Sequence, residues 1–171
     1  MNGNKLYPED GSTLYEEEAW ELSEQARSLW LRLAFAGEYS EGMSPVQIQG
    51  RKYLPMFPSR DGVYTIEQVR EKFLAVFSEE FTDKTLNAAI ASKDLLEYNG
   101  NVYAAYRKNK GKTSYNSWAD HVRDDGNGKF TVVMGVSMPP DGSTVYVELP
   151  TEKNAAGKFV FTDYPYWDRS E

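Results

Sequence analysis

Apolar residues recur every three to four positions early in the chain and every second position in its later part. The first pattern predicts an amphipathic α-helix with one buried stripe, formed by Tyr15, Ala19, Leu22, Ala26, Leu29, Trp30 and Leu33. Thr13 and Glu16 have the spacing of a capping box, which places the start of this helix near Thr13. Gly37 is a typical residue just after a helix end.

A second helical pattern covers residues 65–90 and is divided at Ser78. Thr65 is expected to cap the first segment, with Gln68 completing a capping box three residues later. Ser78 is expected to cap the second segment, three residues before Phe81. Both helices are short, so tertiary packing rather than intrinsic propensity must hold them.

From Leu95 onward the apolar period becomes two, which is typical of half-buried strands. Asn99-Gly100 lies between two such runs and predicts a hairpin with a type I′ turn. Four further strands are predicted over residues 118–123, 130–137, 144–149 and 158–162. Residues 46–56 are expected to form an edge strand or an irregular crossing, with a turn at Gly50.

This order of elements predicts an α+β fold, with N-terminal helices packed on a curved antiparallel sheet of about five strands. Residues 1–11 are expected to be a flexible lead-in, and residues 12–171 to form a single domain. The predicted core consists of Leu22, Ala26, Leu29, Leu33, Phe73, Phe77 and Val132.

The formal net charge of the chain is −7, which argues against nucleic-acid binding because that function normally requires a basic face. The charge is uneven: residues 1–41 carry net −6, residues 42–112 net +3 and residues 113–171 net −4. Two interpretations stay open for the basic middle segment, namely ordinary solvated faces or a polar surface for a partner.

The sequence contains no cysteine, which excludes disulfides and thiolate sites. No apolar run approaches the roughly 18 residues needed to cross a membrane, and no signal peptide is recognisable. The polar start at Met1 is compatible with a cytosolic start or with an export signal or lipid-anchor segment outside this sequence.

Candidate catalytic chemistry is sparse. The single histidine is His121, and because neighbouring residues of a regular strand point to opposite faces, Asp120 is not expected to orient it. Residues 124–128 partly resemble a calcium loop but lack a closing glutamate, so a turn is expected there. No phosphate loop, zinc spacing or nucleophile elbow is present, so neither an enzyme nor a cofactor is expected.

The strongest candidate for function is a binding surface around a cationic loop. Aromatic residues flank the four cations, and these are the residue types that dominate interface energetics. The predicted binding residues are Tyr103, Tyr106, Arg107, Lys108, Lys110, Lys112, Tyr115 and Trp118. A solvated loop beside sheet aromatics is the alternative interpretation.

Four short motifs follow one another along residues 14–165: Gly-Arg-Lys-Tyr at 50–53, Val-Phe-Ser-Glu-Glu-Phe at 76–81, Glu-Tyr-Asn-Gly-Asn-Val-Tyr at 97–103, and Gly-Lys-Phe-Val-Phe-Thr-Asp-Tyr-Pro at 157–165. In this order they resemble the IseA-like family of secreted or lipid-anchored proteins of Gram-positive bacteria. The family's named member inhibits cell-wall DL-endopeptidases.

The resemblance implies a non-enzymatic, extracytoplasmic protein that inhibits or binds a cell-wall hydrolase. In the family inhibitor the blocking surface is acidic, whereas the loop at 107–112 is basic here, which would suit an anionic wall polymer. No inhibitory residue is therefore transferred to this sequence. The alternative is a small-ligand binding module with a pocket between the helices and the sheet.

Overall fold

The computed structural model describes residues 11–34, 43–107, 116–138 and 141–164. It confirms an α+β fold, in which helices precede most of the strands. The helices are α1 (Glu16–Ala34), α2 (Ile66–Leu74) and α3 (Glu79–Ala91), with a short 3-10 turn at Ser59–Asp61. The strands are β1 (Val46–Ile48), β2 (Arg51–Pro55), β3 (Leu95–Tyr98), β4 (Asn101–Ala105), β5 (Asn116–Gly126), β6 (Lys129–Met138), β7 (Ser143–Lys153) and β8 (Phe159–Phe161).

The strands form two antiparallel sheets of four, not the single curved sheet of about five that the sequence predicted. The first has the order β1-β2-β4-β3, and the second the order β5-β6-β7-β8. The division follows from strand pairing. Tyr53 of β2 pairs with Ala105 of β4, so β2 occupies the edge of the β3–β4 hairpin at which a later strand would have to pair to form a single sheet. The strands from β5 onward pair with one another in the part of the chain that the structure describes, apart from an isolated bridge between Phe161 of β8 and Phe77.

Helix α1 begins at Glu16 rather than near Thr13. The amide of Ala19 donates to the carbonyl of Tyr15 at 2.9 Å, so Tyr15 occupies the N-cap position and Thr13 lies outside the helix. Three glutamates fill the first turn, where the helix dipole favours negative charge. The predicted end at Gly37 and the predicted lead-in over residues 1–10 lie outside the described residues.

Both predicted caps of the helical pair are confirmed. The Thr65 hydroxyl accepts from the Gln68 amide at 3.1 Å, and the Gln68 side chain accepts from the Thr65 amide at 3.2 Å, which completes the capping box. The Ser78 hydroxyl accepts from the Phe81 amide at 3.2 Å. These bonds satisfy backbone donors that the first turn of a helix leaves unpaired.

The main core is formed by the helices and by residues of both sheets, and it is rich in aromatic rings. Phe77 is at its centre, with ring centroids 5.5 Å from Phe73 and 4.7 Å from Phe81. Of the predicted core residues, Leu22 and Leu33 are partly buried and pack against it. The others are buried as predicted: Ala26, Leu29, Phe73, Phe77 and Val132.

Two tight turns have the geometry that their sequences favour. Asn99 and Gly100 have φ of 49° and 78°, which confirms the type I′ prediction, and they join β3 to β4. Asn127 and Gly128 have φ of 56° and 75° and join β5 to β6. Of the segment expected to turn at 124–128, only residues 127–128 form the turn, because residues 124–126 continue β5.

Candidate functional site

Of the eight residues that the sequence grouped into one binding surface, the structure describes Tyr103, Tyr106, Arg107 and Trp118. Tyr103 is only 9% exposed and packs in a small apolar cluster on the first sheet, since its strand is paired on both sides. Tyr106 is 42% exposed at the end of β4, and Arg107 follows it. Trp118 lies in the second sheet, on β5. The remaining four residues, Lys108, Lys110, Lys112 and Tyr115, lie outside the described residues.

Arg107 is held in place by an acidic residue that the sequence did not single out. Its Nη2 donates to Asp94 Oδ2 at 2.8 Å, while Arg51 donates to the other carboxylate oxygen of Asp94 at 2.5 Å. Arg51 comes from β2, and Asp94 comes from the turn between α3 and β3. One carboxylate thus binds two guanidinium groups from separate segments, and charge-assisted bonds of this kind are stronger than neutral ones.

The position of Asp94 depends on the way α3 ends. Lys93 has a left-handed φ of 62°, which turns the chain out of the helix and into β3. The carbonyl of Lys93 accepts from the Tyr53 hydroxyl at 2.8 Å, and Arg51 also reaches the carbonyls of Ser92 and Lys93. Cationic side chains at the C-terminal end of a helix are favoured by its dipole.

The electrostatics of this cluster favour an ionised Asp94. Burial by itself would raise the pKa of Asp94, but hydrogen bonds from Arg51 and Ser92 and the charge of Arg107 outweigh it. The pKa of Asp94 is therefore lowered from its ordinary value. Because two guanidinium groups share one carboxylate, the cluster keeps a net positive charge.

Arg107 and Asp94 stand at the rim of a groove of about 780 Å³. The groove lies between the end of α1, one side of α3 and the chain after β8. Trp30, Phe81 and Tyr164 contribute aromatic rings to it, with the Trp30 centroid 6.4 Å from Phe81 and 5.8 Å from Tyr164. A volume of several hundred cubic ångströms is typical of sites that hold a ligand or a partner's side chains.

The rim of the groove is polar on both sides. Lys84 projects from α3, and Asp163 precedes Tyr164 after the last strand. Aliphatic residues of α1 and α3, including Ala88, also line the groove. The arrangement can bury apolar side chains of a ligand at the floor while the rim fixes its polar groups.

The sequence pattern did not reveal this groove. The sequence places Trp30 in the buried apolar stripe of α1 and not at a binding surface. Its contact with Phe81 joins residues fifty-one positions apart, so only the tertiary structure brings them together. The one available signal was the excess of aromatic residues near the ends of helices.

The expected separation of Asp120 and His121 is wrong. The Nδ1 atom of His121 lies 2.8 Å from Oδ2 of Asp120, and both side chains are exposed. The pairing of β5 with β6 shifts register between Ala119 and His121, which marks a β-bulge at Asp120. A bulge interrupts the alternation of faces, so two consecutive side chains can meet.

The acidic residues at the end of β5, which the sequence placed in a calcium-like loop, bind protein groups. Asp124 Oδ1 accepts from the amide of Gly126 at 2.9 Å, and Asp125 pairs with Arg123 at 2.8 Å and with the hydroxyl of Thr131. Throughout the described ranges, no group of three metal-binding side chains is placed to hold an ion.

No protein-family model matches the chain, and a comparison with curated proteins found no match. None of the helices in the described ranges is long and apolar enough to cross a membrane.

Proposed function

We propose that this protein is a non-enzymatic binding protein of the cell envelope, and that it engages a partner protein at the groove beside Arg107. The observation that carries the proposal is the combination of an aromatic floor with a rim on which Asp94 fixes two arginines. Preorganised arginines and buried aromatic rings are the residue types that concentrate binding energy in protein interfaces.

Arg107 keeps most of its hydrogen-bonding capacity for a partner. Among the described residues only Asp94 contacts its guanidinium, which has five N–H donors in a planar fork. Holding the side chain in one position reduces the entropy that a partner must remove on binding. An acidic or carbonyl-rich segment of a partner is therefore the expected contact.

The class of partner comes from the family resemblance. A cell-wall hydrolase is the proposed partner, and the location implied is extracytoplasmic, by secretion or by a lipid anchor. An apolar floor favours a protein segment over an anionic wall polymer, because a polyanion would leave that floor uncovered. If the protein binds the polymer instead, the polymer would replace the hydrolase as the proposed partner.

A small-ligand binding module is the second candidate. The volume of about 780 Å³ and the rings of Trp30, Phe81 and Tyr164 favour it. The charged residues of the rim would then orient a polar ligand. The two candidate functions differ in the size of the molecule bound in the groove, a protein segment or a small ligand, so an experiment can distinguish them.

The test is a pull-down from a cell-wall extract with the native protein and with two groove variants. Ala88→Trp fills the groove from α3, and Arg107→Ser removes the rim cation. Both variants should lose recovery of a hydrolase, and salt should weaken recovery by the native protein more than by Arg107→Ser. Ala91→Trp, at the exposed end of α3 and outside the groove, is the matched control and should bind like the native protein.

Each remaining outcome has a defined meaning. Equal recovery by the native protein and Ala88→Trp would contradict a partner at the groove. Recovery of an anionic polymer that depends on Arg107 but not on Ala88 would replace the protein partner. Capture of a small molecule by the native protein alone would favour the second candidate.

A further inference from the structure

The second sheet has one face that no described helix covers. Its inner face carries Val132, Met134 and Leu149 and forms part of the core beneath α1. Since partners in an antiparallel ladder point to the same side, the register assigns Trp118, Gly135 and Tyr146 to one row of the outer face. This outer face lies away from the core and presents side chains to solvent.

Trp118 is laid flat against this face by a glycine. A Cβ atom built on Gly135 would lie 2.3 Å from Trp118 Cζ2 and 2.4 Å from Cε2, so only glycine leaves room for the ring there. The indole therefore rests on the backbone of β6 with one surface and turns the other outward. Among the described residues its N–H group has no hydrogen-bond partner.

Tyr146 extends the same row on β7 and is 60% exposed. It pairs directly with Gly135, so Trp118 and Tyr146 stand two strands apart, with Cα atoms separated by about 10 Å. Two aromatic rings at this separation can both contact one linear ligand.

Polar side chains in fixed positions border the two rings. The bulge at Asp120 brings its carboxylate to the His121 ring, and Arg123 is held by Asp125 and Glu148 across the strands. These residues line the same face, because His121 is paired with Val133 and then with Glu148. Hydrogen-bonding groups that are already oriented bind a ligand with little loss of entropy.

The charge of this face selects the kind of ligand. Three carboxylates, of Asp120, Asp125 and Glu148, stand against one guanidinium and one imidazole. The net negative charge disfavours a polyanion, whereas carboxylates and a guanidinium accept from and donate to hydroxyl groups. A neutral ligand with flat apolar surfaces and many hydroxyls would avoid repulsion by the carboxylates, bond to the polar side chains and pack on the aromatic rings.

We propose that the outer face of β5–β7 binds a neutral carbohydrate chain. The C–H surfaces of two sugar rings pack on Trp118 and Tyr146, and their hydroxyls bond to the polar groups around His121 and Arg123. This site is separate from the groove beside Arg107, and it stands whether or not a partner protein binds there.

The test is an NMR titration of the full chain, labelled on its tryptophan indole nitrogens, with two neutral probes, N-acetylchitotetraose and cellotetraose. Trp118→Phe assigns the Trp118 indole signal, and that signal should move with at least one probe. Tyr146→Ala should weaken the affinity about tenfold, as expected for the loss of one aromatic contact. Gly135→Ala, which displaces the indole ring, should weaken it to a similar extent.

Tyr98→Ala is the matched control, because Tyr98 is 48% exposed on the other sheet and should leave the affinity unchanged. Unfolding midpoints of Tyr146→Ala and Tyr98→Ala should equal that of the native protein, which separates loss of binding from loss of fold. Failure of both probes to move the Trp118 signal would overturn the proposal. So would equal affinity of Tyr146→Ala and the native protein, or a response to oligolysine alone. A native dimer that Tyr146→Ala converts to monomer would assign the face to a second copy instead.

Discussion

Phe77 and Phe161 form an isolated parallel bridge that ties the junction of α2 and α3 to the last strand. The amide of Ser78 donates to the Phe161 carbonyl at 2.9 Å, and the amide of Phe161 donates to the Val76 carbonyl at 2.9 Å. Their ring centroids are 6.4 Å apart. Phe161 therefore links the second sheet to the junction of the helical pair, through backbone bonds to Val76 and Ser78 and through its ring contact with Phe77.

Replacement of Phe77 by alanine should be among the most destabilising changes in the chain. Phe77 is 1% exposed and contacts four other aromatic rings, so its truncation leaves a large cavity. The expected loss is roughly 3–5 kcal/mol of unfolding free energy, measured by urea denaturation.

Phe77→Leu is the control for cavity size, because it keeps most of the apolar volume and should cost less than the alanine variant. A Phe77→Ala protein with the native unfolding midpoint would contradict the central position of this ring.

Features fixed by neighbouring residues were predictable from the sequence. The Thr65 capping box, the Ser78 cap and the Asn99-Gly100 turn each depend on a few consecutive residues, and all three form as predicted. The burial of Phe73 in α2 was also predictable from helical periodicity.

Features that depend on distant pairing were not predictable. Nothing in the alternation of β2 indicates that it pairs with β4, and that pairing is what divides the strands into two sheets. The contact of Asp120 with His121 depends on a bulge, which a regular period of two cannot reveal. Arg107 was recognised as a candidate, but its binding to Asp94 needed the tertiary structure.

The capping box of α2 should contribute measurably to stability. Thr65→Ala removes the hydroxyl that accepts from the Gln68 amide, and should lower the unfolding free energy by about 1 kcal/mol. Thr65→Ser retains the hydroxyl and should stay close to the native value. Chemical denaturation of the three proteins under the same conditions measures the difference, and equal losses in both variants would show that the methyl group rather than the cap matters.

A side chain at Gly100 should destabilise the protein through backbone strain alone. Its φ is 78°, and no atom lies within 4 Å of the position that a Cβ would take. Gly100→Val should therefore cost about 1 kcal/mol or more, since a β-branched residue is strained in the left-handed region. Gly100→Asn, which tolerates this region better, should cost less. Thermal unfolding midpoints would measure the stability of both variants. An unchanged midpoint for the valine variant would contradict the turn geometry.

The ion pairs of Asp94 should make part of the stability dependent on pH. Because the pKa of Asp94 is lowered in the folded protein, its contribution is complete above the unfolded pKa of about 3.9 and is lost as pH falls through the folded value. Asp94→Asn should therefore be less stable than the native protein at neutral pH, and the difference should narrow as pH falls below about 4.

The measurement for Asp94 is urea denaturation across an acidic pH series. Asp163→Asn is the matched control, since Asp163 borders the same groove but pairs with no cation in the described ranges. Its difference from the native protein should change little over the same series. A difference between Asp94→Asn and the native protein that stays constant from neutral pH to pH 3 would show that the two arginines do not depend on the Asp94 charge. Since Asp94 also positions Arg107, Asp94→Asn should weaken partner recovery in the groove assay at neutral pH, whereas Asp163→Asn should have a smaller effect.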